Sequence, residues 1–257
     1  MFKAIPLFSG SSGNCIYVKY KDEEILIDAG VSYKKICSAL DSVGTSIQNI
    51  KAVLVTHEHC DHIQGLSVLS KHTQIPIYIN RKSASYFDMP LPELFVGNAK
   101  IKDAGDTITF DGFEINVFGT PHDSLGSCGY HFTFSDGSRF ALATDIGIIT
   151  PEISSHLLGC KTVILESNHD VNMLKNGPYP YALKKRILSD KGHLSNDACA
   201  EFVPHLVDNG AEKIILAHLS KENNTPSLAY KASASSLAEA GFTPSDVRLT
   251  IALDSII

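Results

Sequence analysis

Thr56-His57-Glu58-His59-Cys60-Asp61-His62 places four metal-ligating side chain types, His57, His59, Asp61 and His62, within six residues. The apolar run Ala52-Val53-Leu54-Val55-Thr56 precedes it and predicts a buried strand. Residues 62–72 follow with a helical pattern. On an extended chain His57 and His59 point to the same side, while Asp61 and His62 enter the first helical turn. Imidazole mixed with carboxylate suits Zn, Mn, Fe or Ni better than Ca. The zincin pattern HExxH does not fit, because position 61 is Asp. A lone histidine is usually structural, but four ligand types packed this closely are not.

Six residues cannot encircle two ions, so further ligands must come from elsewhere. Strand ends supply them: Pro121-His122-Asp123 follows the strand 113–118, Asp145 follows 139–143, and His218 follows 213–217. Each would reach one edge of a parallel or mixed sheet. Asp111-Gly112 and Asp136-Gly137 mark hairpins in the first half. Helical stretches near 151–158, 179–189, 196–209 and 227–240 alternate with strands in the second. No linker or repeat divides the chain. The expected architecture is α/β, a four-layer αββα sandwich in one domain over 1–257.

The pattern HxHxDH, with His122, Asp145 in Thr144-Asp145-Ile146-Gly147, and His218, resembles the metallo-β-lactamase-fold hydrolases over nearly the whole chain. The resemblance implies that His57, His59 and His122 hold one ion, that Asp61, His62 and His218 hold a second, and that Asp145 bridges them. Asp28 would steady a ligand histidine. True β-lactamases often carry Cys at the bridging position; Asp145 is similar to the phosphodiesterase and nuclease branch, or to the glyoxalase II thioesterases. Four further stretches, 9–14, 166–170, 192–196 and 218–224, look like the bacterial YycJ/WalJ group. That group implies a two-metal phosphodiesterase, a 5′–3′ exonuclease on DNA. A hydroxide between the ions would attack phosphorus in line, with Asp61 as its orienter or base.

Around that centre, His193 and Ser195 are expected phosphate contacts, with His193 protonating the leaving oxygen. Ser195 or Asn196 caps the helix 196–209 in either case. Asn168 and His169 sit at a strand end beside the site. Ser11, Ser12 and Asn14 would line its mouth with backbone N–H groups, as a modest anion nest or a plain turn. His72, His131, His156 and His205 lack company and read as structural.

Composition bounds the alternatives. The chain has 257 residues, 44% of them hydrophobic, and a net charge of −6, which excludes a disordered class and gives no overall pull toward nucleic acid. No apolar run approaches the ~18 residues of a membrane span. The N-terminus shows no signal-peptide pattern, so a cytoplasmic protein is expected, and its six scattered cysteines read as free thiols. From Val171 to His193 the count is five basic residues (Lys175, Lys184, Lys185, Arg186, Lys191) against Asp190, with Tyr179 and Tyr181 interleaved, so DNA could dock there. The competing readings are a dinuclear hydrolase of a small substrate, such as a thioester or cyclic phosphodiester, and a metal-binding protein without activity.

Overall fold

In the computed structural model, which describes residues 1–86 and 98–256, thirteen strands form two sheets. The first runs in sequence order: β1 (Lys3–Phe8), β2 (Cys15–Tyr20), β3 (Glu23–Ile27), β4 (Ile50–Leu54), β5 (Ile77–Ile79) and β6 (Ala99–Ile101). The second holds β7 (Thr107–Phe110), β8 (Phe113–Gly119), β9 (Cys128–Phe134), β10 (Arg139–Ala143), β11 (Thr162–Glu166), β12 (Lys213–Ala217) and β13 (Arg248–Ile251). Each sheet begins antiparallel and becomes parallel, at β3–β4 in the first and at β10–β11 in the second.

Period-two alternation decides the layers. On β3, Ile25 and Ile27 enter the core between the sheets with Ile115, Phe132 and Leu142. Leu26 faces the other way, into a layer with Ile36 and Leu40 of α1 (Tyr33–Ser42) and Leu66 and Leu69 of α3 (Leu66–His72). On the far side, Val163, Leu165, Ile214 and Leu216 pack against α5 (Pro151–Leu157), α8 (Asn196–Asp208) and α9 (Pro226–Glu239). The expected αββα sandwich is the observed one.

Several expectations need adjustment. The helix expected over 62–72 is two pieces, α2 (Cys60–Ile63) and α3, broken at Gly65. Gly65 lies so close to the 29–31 loop that a Cβ there would meet the Val31 carbonyl at 2.1 Å. The strand at the motif is Ile50–Leu54 rather than 52–56, so Val55 and Thr56 already belong to the loop. Strand β1 was not anticipated; its Pro6 is tolerated because β1 is an edge strand, paired with β2 alone. Strand β6 and the short helices α4 (Arg81–Ser85) and α6 (Val171–Asn176) were also unanticipated, being too short for periodicity to register.

Three loops of the first sheet, after β1, β3 and β4, lock together. Gly30 N–H donates to the Asn14 carbonyl at 2.8 Å, and Asn14 N–H donates to the Asp61 carbonyl at 2.7 Å. A Cβ on Gly30 would fall 1.7 Å from that Asp61 oxygen. We therefore expect Gly30→Ala to destabilise the protein by about 3 kcal/mol, visible as a Tm lowered by roughly 5–10 °C. A Tm equal to wild type would show that the three loops can part freely.

Candidate metal centre

The centre is built outward from Asp28, which follows β3 with φ of 63°. Its N–H donates to the Leu54 carbonyl at 2.7 Å, which turns its carboxylate across the end of β4. There Oδ1 accepts the Thr56 N–H at 2.8 Å, and Oδ2 accepts the His62 Nδ1–H at 2.8 Å. The Thr56 hydroxyl donates to Oδ2 at 2.9 Å and stands 3.1 Å from His57 Nδ1, whose proton it can accept. A single carboxylate thereby fixes the rings of two histidines from their Nδ1 sides, one directly and one through Thr56, and turns both Nε2 atoms toward the remaining donors.

The remaining donors converge on those atoms. Ligand atoms of His57, His59 and His122 lie within 4.8 Å of one another, as do those of Asp61, His62 and His218. Asp145 stands between the groups, with Oδ2 3.4 Å from His62 Nε2, and Oδ1 3.5 Å from His218 Nε2 and 3.8 Å from His122 Nε2. His122 is oriented by donating Nδ1–H to the Gly192 carbonyl at 3.1 Å. Among the described residues, four non-glycines have left-handed φ: Lys21, Asp28, Asp145 and His218. Three of them belong to this centre, each just after a parallel strand. Such backbone costs about 1–3 kcal/mol per residue, a burden that marks positions held for their side chains.

Glu166 was missed by the sequence reading. It ends β11 wholly buried; Oε1 accepts Nδ1–H of His193 at 2.8 Å and of His218 at 2.9 Å, and Oε2 accepts the Ile146 and Leu194 N–H groups. It does for His218 and His193 what Asp28 does for His62. The available signal was a carboxylate closing an apolar strand. Glu58, also buried, supports the loops instead, accepting from Ser83 Oγ and Leu125 N–H at 2.6 Å each.

Protonation follows from this geometry. Burial holds the His57 imidazole well below its ordinary pKa, with His62 beside it adding to the effect. Burial also opposes charge on His62, but the Asp145 and Asp28 carboxylates outweigh it and raise its pKa well above the ordinary value. At His218 the same contest, won by Asp145, Asp61 and Glu166, lifts the pKa to about 10. Burial would raise Glu166, yet His193 and His218 hold it near 2. Protons thus sit among carboxylates where a divalent cation would supply positive charge instead. The residues fit such ions: His57 Nε2, Asp145 Oδ2 and His218 Nε2 are buried with no hydrogen-bond partner, and they point into the same space.

The other expected contacts divide. His193 lies beside the cluster, its ring 5.1 Å from that of His122. Asn168 donates to the His218 carbonyl at 2.8 Å, so it holds the loop. His169 is buried with neither ring nitrogen partnered, and burial lowers its pKa to about 4. Ser195 caps α8 by accepting from Ala198 N–H. Ser11 and Ser12 are exposed, and Ser11 borders a cleft with His193. Of the three N–H groups expected to line the mouth, that of Asn14 is engaged by the Asp61 carbonyl at 2.7 Å. Asn14 itself turns inward, its amide 3.1 Å from His62 Nε2. His72 and His156 stack on Tyr33 and Phe118, His131 bonds the His156 carbonyl, and all six cysteines are free.

Fold and site together define a metal-dependent hydrolase of the β-lactamase superfamily, and the chain belongs to that family: its beta-lactamase superfamily domain matches residues 23–219. Relatives narrow the placement to the WalJ/YycJ group. The chain is 39% identical over 241 residues to the exodeoxyribonuclease WalJ of Streptococcus pneumoniae, covering 93% of this chain and 89% of that one. It is 36% identical over 236 residues to the exodeoxyribonuclease YycJ of Bacillus anthracis, covering 92% and 89%. The metallo-beta-lactamase fold protein YhfI of Bacillus subtilis superposes with a TM-score of 0.73 at 16% identity over 99% of this chain and 98% of that one, which shows the shared fold.

Asp28→Ala should free the His62 ring and weaken divalent-metal affinity about 10- to 100-fold, read by competition with a chromophoric chelator. Unchanged affinity would mean that Asp28 serves the loops alone.

Proposed function

We propose that the chain is a two-metal phosphodiesterase, a cytoplasmic exodeoxyribonuclease acting from 5′ to 3′ on DNA. The supporting observation is the surroundings of His193. The adjoining cleft is small, about 160 Å³, and is bordered by α7 (Tyr181–Ile187), which carries Lys184, Lys185 and Arg186. A small-substrate hydrolase calls for a deeper, less basic pocket, nearer the ~300 Å³ lower end of small-molecule sites. The names of the WalJ and YycJ relatives point the same way.

In this reading His57, His59 and His122 would hold one divalent ion and Asp61, His62 and His218 the other, with Asp145 available to both. Zn, Mn, Fe and Ni all suit this donor set. When bound, such ions supply Lewis acidity toward a phosphoryl oxygen and a hydroxide nucleophile at neutral pH. Asp61, kept ionised because His218 and His62 more than offset its burial, orients the attacking oxygen. His193 supplies the proton to the departing oxygen: Glu166 holds its Nδ1–H, leaving Nε2 for the substrate, and raises its pKa against the effect of burial. Asp28 and Glu166 hold the rings of the four histidines that they reach throughout.

Purified protein with Mn²⁺ should shorten 5′-ended duplex DNA, and Asp61→Ala or His57→Ala should abolish the activity. Equal degradation by both variants would expose a contaminating nuclease; none with Mn, Zn, Mg or Ni would favour the small-substrate reading. His193→Ala should slow DNA cleavage about 10²- to 10⁴-fold. It should slow bis(p-nitrophenyl) phosphate much less, because p-nitrophenolate leaves without a proton. Equal losses on both substrates would deny His193 the role of acid.

A further inference from the structure

Resting on the nuclease reading, we propose that Arg186 binds a DNA backbone phosphate next to the one being cleaved, and that Asp123 is the counter-ion it leaves to do so. Helix α7 presents three cations, with no acid in its first turn and no fully buried side chain. Two of the three differ sharply in how they are used. Lys184 Nζ donates to the Lys175 carbonyl at 2.8 Å, tying α7 to α6. Arg186 Nε donates to Asp123 Oδ2, and its side chain is still 54% exposed. Only part of a five-donor fork is engaged, so the rest can meet a phosphate oxygen.

Asp123 is placed as a temporary partner. It follows the ligand histidine His122, and its Oδ1 is buried without a hydrogen-bond partner, 3.3 Å from His122 Nε2. One oxygen of this carboxylate therefore faces the metal-ligand cluster and the other faces Arg186. A phosphodiester entering the cleft brings a second anion to the same guanidinium. Phosphate matches the fork in the bidentate geometry that the Asp123–Arg186 contact through Nε does not use.

Position fixes Arg186 relative to the chemistry. The His193 N–H donates to the Ile187 carbonyl at 3.0 Å, so the end of α7 is bonded to the loop carrying His193. A Cβ at Gly192 would meet the Arg186 and Ile187 carbonyls at 2.3 and 2.1 Å, which shows how closely that loop passes. The Gly192 carbonyl in turn orients His122. Arg186, Asp123, Ser11, Asn168 and His193 line one cleft of about 160 Å³, room for a phosphate and part of its sugar.

The test measures binding of a fluorescein-labelled DNA duplex, with phosphorothioate linkages to block cleavage, to the Mn²⁺-loaded protein over a range of salt. Arg186→Gln should raise Kd about 10-fold and lower the salt slope by about one. Arg186→Lys, which keeps the charge but not the fork, should keep the slope and give an intermediate Kd. Asp123→Asn should lower Kd several-fold, the opposite sign to Arg186→Gln, because it releases the guanidinium. A purely structural ion pair predicts that both partners' variants weaken binding together, and that result overturns the proposal. So does an Arg186→Gln protein with wild-type Kd and slope. If the wild-type protein binds and cuts no DNA, the nuclease reading falls, and this proposal falls with it.

Discussion

The centre depends first on one buried carboxylate. Asp28 is almost wholly enclosed, where an unpaired charge would be prohibitive, and it survives because three donors surround it: the Thr56 N–H, the Thr56 hydroxyl and the His62 ring. Burial pushes its carboxyl pKa up, and those donors work against that. The arrangement requires β3 and β4 to be parallel and in register, since Asp28 must arrive beside Thr56 as both strands end. Sheet pairing is therefore converted directly into ligand orientation. Glu166 repeats the device in the second sheet, where β10, β11 and β12 run parallel and deliver Asp145, Glu166 and His218 to one edge. Each sheet brings one buried acid that holds histidines by Nδ1 and turns their Nε2 atoms into the shared space.

This duplication explains what could be read from the sequence. The group His57, His59, Asp61, His62 is legible because its members are neighbours in the chain, and spacing alone sets their direction. The Asp-Gly hairpins of the first half and the helices alternating with strands in the second made the sandwich legible for the same local reason. Glu166 was not legible, because a single Glu closing an apolar strand looks like any strand end until β11 is seen between β10 and β12. The inward role of Asn14 was equally hidden. It depends on Gly30 and Asp61 approaching within hydrogen-bond distance, a contact between three loops separated by up to 47 residues. The Asn14 N–H, expected at the mouth of the site, instead joins its loop to the one carrying Asp61.

Strain and charge are concentrated at the same place. Left-handed backbone at Asp28, Asp145 and His218 would relax if the chain were free to choose, but strand pairing on one side and hydrogen bonds on the other prevent it. His218 illustrates the balance: Ser9 Oγ accepts its N–H, Asn168 donates to its carbonyl, and Glu166 accepts from its ring. Without cations the same enclosure gathers Asp61, Asp145, Glu166 and Asp28 around imidazoles, and protons on His62 and His218 offset part of that negative charge. Divalent ions would displace those protons, so metal binding and proton release are one event in this fold.

Local charge, not the total, decides how such a site meets DNA. The net −6 counted along the chain includes Asp28, Asp61, Asp145 and Glu166, all of which face inward toward histidines. Two divalent ions would bring the sum to −6 + 4 = −2, and they would do so at the bottom of the cleft. The outer rim is a different matter: α7 carries Lys184, Lys185 and Arg186, of which Arg186 lines the same cleft, with Tyr179 in its wall and Tyr181 exposed. Within a Debye length of about 8 Å at physiological salt, a phosphate at the rim responds to those cations far more than to acids elsewhere on the surface. An acidic protein can thus present a locally basic approach to a polyanion, provided that the acids closest to the reaction are already paired. Asp123 is the acid at that boundary, one oxygen toward His122 and the other toward Arg186.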